Sequence, residues 1–538
     1  MSAAPLPWLP SVWSGAAGSR PKGSLIITRS RQVHPGGHRG ARRFVRVLGA
    51  AALVVSLVSL AVATPASAQV PATGGGSWSV VPSPNPSNAD PFNILSSVTC
   101  VSDADCWAVG SGFDISTDSG DPVIEQWNGS TWSTVPSPAT SGVGSLRSVT
   151  CLSGTDCWAV GETLDPGAGE YASTLTEQWD GSEWSVVPSP NGTIDGYLIG
   201  TALDSVACAS LSDCWAVGYT NSAPGEELYG SVIEQWNGSA WSVEHADISG
   251  ESLNSVACVN DSDCWTVGTT DAGDGQTLIE QWNGSTWSTV TSPNAGPAQS
   301  NTLQSVECSM ASDCWAVGDY VAPATKKTQI DHSLAEHWDG SAWSIVASPS
   351  LKAEQSNGLY SVTCTSSTNC WAVGTIFSSS RSPEQTLAEY WNGSVWALAS
   401  SADGSATDSN LAAVGCADAL DCWSVGSTSS GGDAATLIEQ LDPPTVVVSP
   451  GAGPPGTALS VHGSGFTFGK RVKVTYLTGS PSGKQSTNVC SATASDTGTF
   501  SCGGTVPAAR KAGPNGHHTI EAAGPRSLVV ASTTFTLS

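Results

Sequence analysis

The stretch LIEQWNGSTWSTV at residues 278–290 decides the fold, because nearly the same phrase, VIEQWNGSTWSTV, stands at 123–135. Asn283-Gly284-Ser285 fits the pattern of a glycan acceptor. Asn-Gly between apolar runs is also the strongest short-range signal for a β-hairpin. The phrase recurs with Asn-Gly at 128, 237, 283 and 392 but with Asp-Gly at 180 and 339, and aspartate cannot accept a glycan. The repeated feature is therefore a turn of the scaffold, and glycosylation is incidental.

Seven cysteine pairs, each with five residues between its members, mark a repeat, and successive pairs lie 50–57 residues apart. We number the repeats 1 to 7 in chain order by their cysteine pairs, which are Cys100/Cys106, Cys151/Cys157, Cys208/Cys214, Cys258/Cys264, Cys308/Cys314, Cys364/Cys370 and Cys416/Cys422. Each repeat reads L-x-S-V-x-C, five residues, C-W-A-V-G, a variable loop, T-L-I-E-Q-W, N-G-S and x-W-S-x-V-x-S-P.

Each repeat predicts four short β-strands, and four strands at a period near 50 residues are typical of a β-propeller blade. The fourth strand follows only six of the repeats, because the chain runs from Leu441 directly into DPPT. The missing strand stands at the front, as GSWSVVPSP at residues 76–84. We therefore predict an all-β, seven-bladed β-propeller whose last blade is closed by the N-terminal strand, which removes a sheet edge.

Tryptophan follows the same repeat. Of the 22 tryptophans, 20 stand at three repeat positions: after the second cysteine, after E-Q, and before the serine of the last strand. Tryptophan at fixed positions in every repeat favours packing between blades. The alternative, rings at the rim that stack on a sugar, stays open at this point.

The cysteines favour disulfides. An even count in a secreted chain is typical of paired cysteines, and the spacing places each pair across a hairpin. Cys490 and Cys502 form an eighth pair near the C-terminus. Zinc is disfavoured, because four thiolates would have to come from different blades and no histidine accompanies them at ligand spacing.

The first 68 residues are predicted to be a leader with a signal peptide. RGARRFVR is followed by an apolar run, Val47 to Ala63, and by Ala66-Ser67-Ala68, a pattern typical of a cleavage site. The remaining chain carries 12 Lys and Arg against 46 Asp and Glu, a formal charge of −34, which disfavours nucleic acid and anionic membranes as partners. We expect a monomeric, extracellular or cell-wall-associated protein with no transmembrane segment after cleavage.

The composition changes again after the short linker DPPT. The stretch SPGAGPPGTALSVHGSGFTFGKRVKVTYL at 449–477 resembles Ig-like modules of the IPT/TIG kind, which implies a β-sandwich. The blade phrases CWAVG and EQWNGSTWS resemble the kelch-like or Asp-box-like repeats of secreted bacterial propellers over residues 76–442. The predicted domains are thus the leader at 1–68, the propeller at 69–442 and an Ig-like domain at 443–538.

No catalytic constellation stands out in the propeller. Its only arginines are Arg147 and Arg381, too few for the arginine triad of sialidases. Its only histidines are His245, His332 and His337, and the cysteines are paired, so a copper-radical site is disfavoured. Hydrolysis of a polysaccharide by paired carboxylates remains open. The glutamate of E-Q-W is no catalytic candidate, because a catalytic acid need not recur in every blade.

The variable loops are the expected place of binding. Acidic residues there could bind Ca²⁺, although their spacing is not that of an EF-hand: Asp114, Asp118, Asp121, Asp165, Asp271 and Asp274. We predict no other cofactor and no catalytic residue. The favoured interpretation is a secreted, non-catalytic binding protein for an extracellular glycan, cell-surface or protein ligand. The alternatives are a polysaccharide hydrolase or lyase that uses loop carboxylates, and a structural component of the cell envelope.

Overall fold

The structure is a computed structural model, and it describes a defined part of the chain. The described residues are 76–85, 91–114, 119–138, 140, 142–164, 172–194, 197–198, 200–221, 229–270, 275–296, 299–322, 330–349, 355–377, 383–403, 408–430, 433–466, 469–478, 486–495, 498–524 and 530–538. The predicted leader at 1–68 lies outside them.

Each repeat folds into four antiparallel strands in sequence order, and the sheets together form a β-propeller. The first strands are β2 (Pro91–Ser102), β6 (Val143–Ser153), β12 (Gly200–Ser210), β16 (Glu251–Asn260), β20 (Asn301–Met310), β24 (Ser356–Ser366) and β28 (Asp408–Cys416). The second strands are β3 (Asp105–Asp114), β7 (Asp156–Leu164), β13 (Asp213–Asn221), β17 (Asp263–Thr270), β21 (Asp313–Ala322), β25 (Asn369–Phe377) and β29 (Cys422–Ser430).

The third strands carry the E-Q-W motif or its variants. They are β4 (Ser119–Trp127), β8 (Ala172–Trp179), β14 (Tyr229–Trp236), β18 (Gln276–Trp282), β22 (Ile330–Trp338), β26 (Gln385–Trp391) and β30 (Asp433–Asp442). The fourth strands are β5 (Trp132–Thr134), β9 (Trp184–Val186), β15 (Trp241–Ala246), β19 (Trp287–Thr289), β23 (Trp343–Ile345), β27 (Trp396–Leu398) and, for repeat 7, β1 (Ser77–Val81). A small hairpin, β10 (Thr193–Ile194) and β11 (Tyr197–Leu198), lies between repeats 2 and 3.

The N-terminal strand completes the last repeat, as the sequence predicts. β1 runs antiparallel to β30, with Trp78 opposite Leu441. Repeats 7 and 1 also meet at one parallel residue pair, Phe92 and Ala434, which joins their strands into a single sheet of eight.

The turn between third and fourth strands explains why Asn and Asp alternate there. Oδ1 of Asn283 accepts hydrogen bonds from the backbone N–H of Ser285 at 3.0 Å and of Thr286 at 3.1 Å. Oδ1 of Asp339 accepts from Ser341 N–H at 2.9 Å in the same way. Both side chains supply the same oxygen, and the glycine that follows has a φ of 86–94° in all six turns, a conformation that favours glycine.

All eight predicted cysteine pairs form disulfides. Each repeat bridge joins directly opposed residues of the first and second strands: Cys100–Cys106, Cys151–Cys157, Cys208–Cys214, Cys258–Cys264, Cys308–Cys314, Cys364–Cys370 and Cys416–Cys422. The eighth bridge, Cys490–Cys502, lies in the C-terminal part. No described cysteine is free, and this degree of bridging is typical of an extracellular protein.

The second-strand tryptophan of each repeat is the centre of the contact with the next repeat. These seven rings are at most 1% exposed: Trp107, Trp158, Trp215, Trp265, Trp315, Trp371 and Trp423. Trp107, for example, lies 4.8 Å from Trp179 and 5.4 Å from Trp184 between ring centroids. Core packing is thus confirmed for these rings, and they are too buried to stack on a sugar.

The second-strand cysteines contribute to the same contact between repeats as well as to their own hairpins. The second-strand cysteines are 0% exposed: Cys106, Cys157, Cys214, Cys264, Cys314, Cys370 and Cys422. Their partners on the first strands are only partly buried. Each second-strand cysteine lies in one apolar cluster with the tryptophan of the preceding repeat, as Cys157 does with Trp107 and Cys314 with Trp265. The spacing of the cysteines predicts the pairing but not this burial, because the neighbouring repeat supplies the covering side chains. These cysteines are therefore core residues of the scaffold and take no part in an exposed site.

The last repeat contacts the first through the same tryptophan interaction. The ring of Trp423 lies 4.6 Å from Trp127 and 5.2 Å from Trp132 of repeat 1. Repeat 7 lacks the third-strand tryptophan, having Leu441 instead, and Trp78 of β1 lies edge-on 5.2 Å from Trp371 of repeat 6. Strand β1 therefore contributes to the contact between repeats 6 and 7 as well as to its own sheet.

We predict that Trp78→Ala lowers the free energy of unfolding by about 3–5 kcal/mol, the usual cost of removing a large buried aromatic side chain. Urea unfolding followed by tryptophan fluorescence measures this. Ser79→Ala on the same strand is the control and should change stability little. Equal effects of the two substitutions would show that the Trp78 contact does not close the last repeat.

A serine on each first strand forms a second link between neighbouring repeats. Its Oγ accepts a hydrogen bond from a valine N–H of the next first strand, at 3.1–3.2 Å: Ser97–Val149, Ser148–Val206, Ser205–Val256, Ser255–Val306, Ser305–Val362 and Ser361–Val414. Repeat 7 has Ala413 at this position, so the link to Val98 of repeat 1 lacks its acceptor.

Ala413→Ser is expected to supply that missing acceptor and to raise the free energy of unfolding by about 1 kcal/mol, the typical net value of one hydrogen bond. Differential scanning calorimetry of the two proteins measures the gain. Ala412→Ser on the same strand is the control and should be neutral. A lower melting temperature for Ala413→Ser would contradict the assignment of this link.

The C-terminal part consists of two sheets around one apolar core. The three-stranded sheet contains β31 (Thr445–Ser449), β33 (Ala458–Ser464) and β36 (Phe500–Thr505). The five-stranded sheet contains β32 (Ala452–Gly453), β34 (Arg471–Leu477), β35 (Ser486–Thr493), β37 (Gly516–Ala523) and β38 (Val530–Leu537), and one helical turn, α1 (Ala509–Ala512), precedes β37. The Cys490–Cys502 bridge joins β35 to β36 and so connects the sheets. No helix among the described residues is long and apolar enough to span a membrane.

Candidate functional site

Two positions of the repeat differ in nearly every copy, although their neighbours hardly change. The first lies between leucine and serine on the first strand: Ser96, Arg147, Asp204, Asn254, Gln304, Tyr360 and Ala412. The second follows C-W-A-V-G or its variants on the second strand: Ser111, Glu162, Tyr219, Thr269, Asp319, Thr375 and Ser427. A scaffold requirement would preserve these residues, so their variety shows that the packing of the repeats leaves both positions free to differ.

The backbone sets the first position apart. In every repeat the strand register shifts at this residue, which is the mark of a β-bulge. Bulges re-aim a side chain and are common beside active sites. Because the first strands of successive repeats contact one another, this position of one repeat lies near the same position of the next repeat.

An arginine cluster joins repeats 2 and 3. The Arg147 guanidinium bonds Glu162 Oε1 at 2.5 Å and Asp204 Oδ1 at 2.6 Å, and it donates to the Tyr219 hydroxyl at 3.3 Å. Its central carbon also lies 5.4 Å from the Tyr219 ring centroid, within cation–π range. Arg147, Glu162, Asp204 and Tyr219 thus form one connected network.

Burial and charge act against each other in the arginine cluster. Burial lowers the pKa of Arg147, but Asp204 and Glu162 outweigh it and raise the pKa well above the usual value. Burial raises the pKa of Tyr219 to about 12, with Arg147 opposing the rise. Arg147 therefore stays charged with its charge already balanced, so it is not available to bind a carboxylate substrate.

An acidic cluster lies on repeats 5 and 6. Asp319 of β21 is opposite Ser333, and Asp331 of β22 is opposite Val321, so the two aspartates are diagonal neighbours on the same face of the sheet. Tyr360 of β24 interacts electrostatically with both aspartates and with Glu384. The cluster is defined as Asp319, Asp331, Tyr360 and Glu384.

Burial dominates the chemistry of the acidic cluster. It raises the pKa of Asp319 to about 6, Asp331 adds to the rise, and a hydrogen bond with Gln304 opposes it. The pKa of Asp331 is also raised by burial, with His332 opposing. Among the described residues no lysine or arginine forms an ion pair with these carboxyl groups. When two carboxyl groups are neighbours and no cation is paired with them, ionisation of one disfavours ionisation of the other, so one of the two tends to stay protonated.

A further carboxyl group lies on the first strand of repeat 5. Glu307 stands where the other repeats have threonine, alanine or glycine, and burial raises its pKa to about 7. It is three residues from Gln304, the partner of Asp319. Repeat 5 therefore carries four carboxyl groups with a raised pKa, Glu307, Asp319, Asp331 and the third-strand Glu336.

The acids predicted from the loops do not form a site in the described part of the chain. Asp114 ends β3 and Asp121 is exposed on β4. Asp118, Asp165, Asp271 and Asp274 lie outside the described residues. No group of three or more potential metal ligands occurs among the residues that the structure does describe, and with four of the six acids outside them the Ca²⁺ prediction stays a prediction.

The three propeller histidines are dispersed. His245 lies 3.3 Å from Asp247, and His337 lies 2.5 Å from Asp313 with its ring 4.5 Å from Trp315. In other repeats a glutamine makes the contact of His337, as Gln126 does with Asp105 at 3.1 Å. His337 therefore replaces a structural residue, and only His332 adjoins the acidic cluster.

The prediction singled out other acids of the variable segments and so missed both clusters. The members of the clusters lie on first and second strands, except Asp331 on β22 and Glu384, which directly precedes β26. The departures from the repeat were the available signal: a charged or aromatic residue at a position that holds serine, threonine or alanine elsewhere.

Comparisons with known proteins identify no family for this chain. No protein-family model and no curated protein matches the chain. A solved protein of unknown function from Dyadobacter fermentans is 10% identical, with a TM-score of 0.39 over 69% of this chain and 100% of that one. The α-L-arabinofuranosidase of Fusarium graminearum with arabinobiose is 10% identical, with a TM-score of 0.37 over 69% and 96%. The α-L-arabinanase of Penicillium chrysogenum with arabinobiose is 9% identical, with a TM-score of 0.36 over 66% and 99%.

These comparisons contradict the interpretation favoured from the sequence, a non-catalytic binding protein. The similar structures that have a named activity are glycoside hydrolases. Their low identity and TM-scores identify no activity, no substrate and no catalytic residue of this chain.

Arg147→Met is expected to lower the free energy of unfolding by roughly 2 kcal/mol, because it leaves two carboxylates without their cation. The loss should fall short of that of a fully buried pair, since the Arg147 side chain is 31% exposed and solvent screens it. Urea unfolding at neutral pH measures it. Adding Glu162→Gln and Asp204→Asn should restore most of the stability, and failure to do so would contradict the charge-balance account.

Proposed function

We propose that the protein is a secreted glycoside hydrolase that acts on a polysaccharide with the carboxyl groups of Asp319 and Asp331. The observation that carries the proposal is the placement of these aspartates as diagonal neighbours on one sheet face, where no lysine or arginine of the described residues forms an ion pair with them. Glycoside hydrolysis requires such a pair, one group protonated and the other ionised.

The different surroundings of the two groups suit the two roles. Asp319, with its pKa raised to about 6, is the general acid that donates its proton to the oxygen of the departing sugar. Asp331, as the carboxylate, takes a proton from the water that attacks the anomeric carbon. The glycosidic C–O bond breaks, a C–O bond to water forms, and the two carboxyl groups have exchanged their protonation states.

We also propose a division of the chain into a leader, a propeller and an Ig-like domain. Residues 69–442 form a seven-bladed propeller of kelch-like or Asp-box-like repeats, closed into a ring by β1, after a leader that is removed near Ala68. The succession of contacts from repeat 1 to repeat 7 and back, exemplified by Trp423 against Trp127, supports the ring. Residues 443–538 form an Ig-like domain that keeps the enzyme at an insoluble substrate or at the cell wall.

Asp319→Asn and Asp331→Asn should each lower the release of sugar by at least about 100-fold, because each removes one proton-transfer step. The assay uses the full chain on a panel of insoluble polysaccharides, with released reducing sugar measured over time. Asp261→Asn is the matched control, since Asp261 is exposed in a turn between the cysteines of repeat 4. Release by both variants at the control rate, or no release by the wild-type protein from any polysaccharide, would contradict the proposal.

The pH dependence follows from the same assignment. A general acid is active while protonated, so the rate should be highest below pH 6 and should fall as the pH rises through about 6, the pKa of Asp319. Initial rates across the pH range measure this. A rate that keeps rising above neutral pH would exclude Asp319 as the acid.

A further inference from the structure

The third-strand glutamates are the carboxyl groups that the proposed reaction does not use. They recur at the same place in every repeat: Glu125, Glu177, Glu234, Glu280, Glu336, Glu389 and Glu439. All except Glu280 are 0% exposed. A carboxylate in such a place loses its hydration, so full burial favours the neutral acid.

A serine holds each fully buried glutamate. The serine lies in the connection that enters the repeat, next to proline or alanine, and its hydroxyl contacts the carboxyl group. Five pairs have an O–O distance of 2.7–3.1 Å: Ser83–Glu125, Ser137–Glu177, Ser292–Glu336, Ser348–Glu389 and Ser401–Glu439. The sixth pair is Ser189–Glu234. The motif W-S-x-V-x-S-P is thereby explained, since its last serine ties the end of one repeat to the next.

The contacts do not suffice for an ionised carboxylate. One buried oxygen has no hydrogen-bond partner in three of the described glutamates: Glu177, Glu234 and Glu336. A hydroxyl group can accept as well as donate, so the serine can serve a protonated carboxyl group. An ionised carboxylate would instead leave an unpaired charge in the core.

Few charged groups face the glutamates. Asp403 faces Glu439, and that like charge favours the protonated form further. The described residues place no charged group against Glu125, Glu177, Glu234, Glu336 or Glu389. Burial raises the pKa of Glu125, Glu336, Glu389 and Glu439 to about 8 and that of Glu177 and Glu234 to about 7, with the serine contact opposing the rise.

Repeat 4 is the exception and serves as an internal control. The connection into it lacks the serine–proline pair, and Glu280 is only partly buried and contacts Thr289 at 3.4 Å. Its charged neighbours are Glu251, His245 and Asp247. Burial raises its pKa, but water reaches this group.

We propose that the six buried third-strand glutamates are neutral carboxylic acids that join neighbouring repeats through serine, and that the propeller is stabilised by acid and loosened when they ionise. Each group is the same device repeated around the structure. The inference does not depend on the proposed hydrolase activity.

The direction of the effect follows from proton binding. The unfolded chain releases these protons near the ordinary glutamate value of 4.5, whereas the folded chain keeps them up to about 7–8. Between these limits the native state binds more protons, so stability is greatest at the acidic end and falls as the pH rises. A pKa difference of one unit is a factor of about ten in the unfolding constant, so a single group can contribute about three powers of ten over this window.

The test is urea unfolding of the full chain at a series of pH values from about 5 to 8.5. The slope of the logarithm of the unfolding constant against pH counts the protons released on unfolding. We expect a positive slope in the wild-type protein, reduced by about one proton in Glu336→Gln and likewise in Glu389→Gln. Glu280→Gln is the matched control, and we expect a smaller reduction.

The difference between variants is the decisive quantity, because Asp319 and Glu307 add to the wild-type slope. A wild-type slope retained in both buried variants would overturn the proposal. If either variant fails to fold, the infrared carbonyl band of protonated carboxylic acids in the folded wild-type protein near pH 6.5 decides instead. A band with the intensity of at least six carboxylic acids supports the proposal, and a band no stronger than Asp319 and Glu307 would give overturns it.

Discussion

The packing of one tryptophan per repeat against the next repeat is the interaction on which the structure depends. A four-stranded sheet of such short strands cannot bury both of its faces alone. The second-strand tryptophan, as Trp215 shows against Trp282 and Trp287 at 4.7 and 5.1 Å, buries its ring in the neighbouring sheet. Each repeat is thus stable only beside its neighbours, which makes the closing strand β1 necessary and places every first strand near the others.

That constraint also determines where function can lie. Positions that hold the tryptophans, the disulfides and the serine links are the same in nearly all repeats, because each repeat has the same packing task. The bulge position on the first strand and the residue after C-W-A-V-G have no such packing task. Arg147 in repeat 2 and Asp319 in repeat 5 occupy these positions, and each forms a network with its neighbour that the described residues of the other repeats do not show.

The two clusters divide the chemistry between them. In the arginine cluster one guanidinium is held by two carboxyl groups, Glu162 and Asp204, so the cluster offers no free cation. The acidic cluster lacks a balancing lysine or arginine among the described residues, and its carboxyl groups keep protons at a pH where ordinary aspartates are ionised. The buried third-strand glutamates follow the same physics but recur in every repeat, which indicates structure and not catalysis.

The scaffold was predictable because its signals are local and repeated. Asn-Gly turns, cysteine spacing and the displaced strand at 76–84 can each be read within a few residues. The site was not predictable in the same way, because Asp319 and Asp331 become neighbours only through the strand register, and Tyr360 reaches them from another repeat. Their pKa values depend on burial, which composition does not reveal. The preference for a non-catalytic protein arose from this limit.

The most direct test of the central claim, that function lies where the repeat loses its regularity, is a crystal structure of the Asp319→Asn protein grown with short oligosaccharides from the polysaccharide panel. The account predicts a sugar in contact with Asp331 and residue 319 of the acidic cluster. A sugar bound only to the outer strands or to the C-terminal sheets would contradict it.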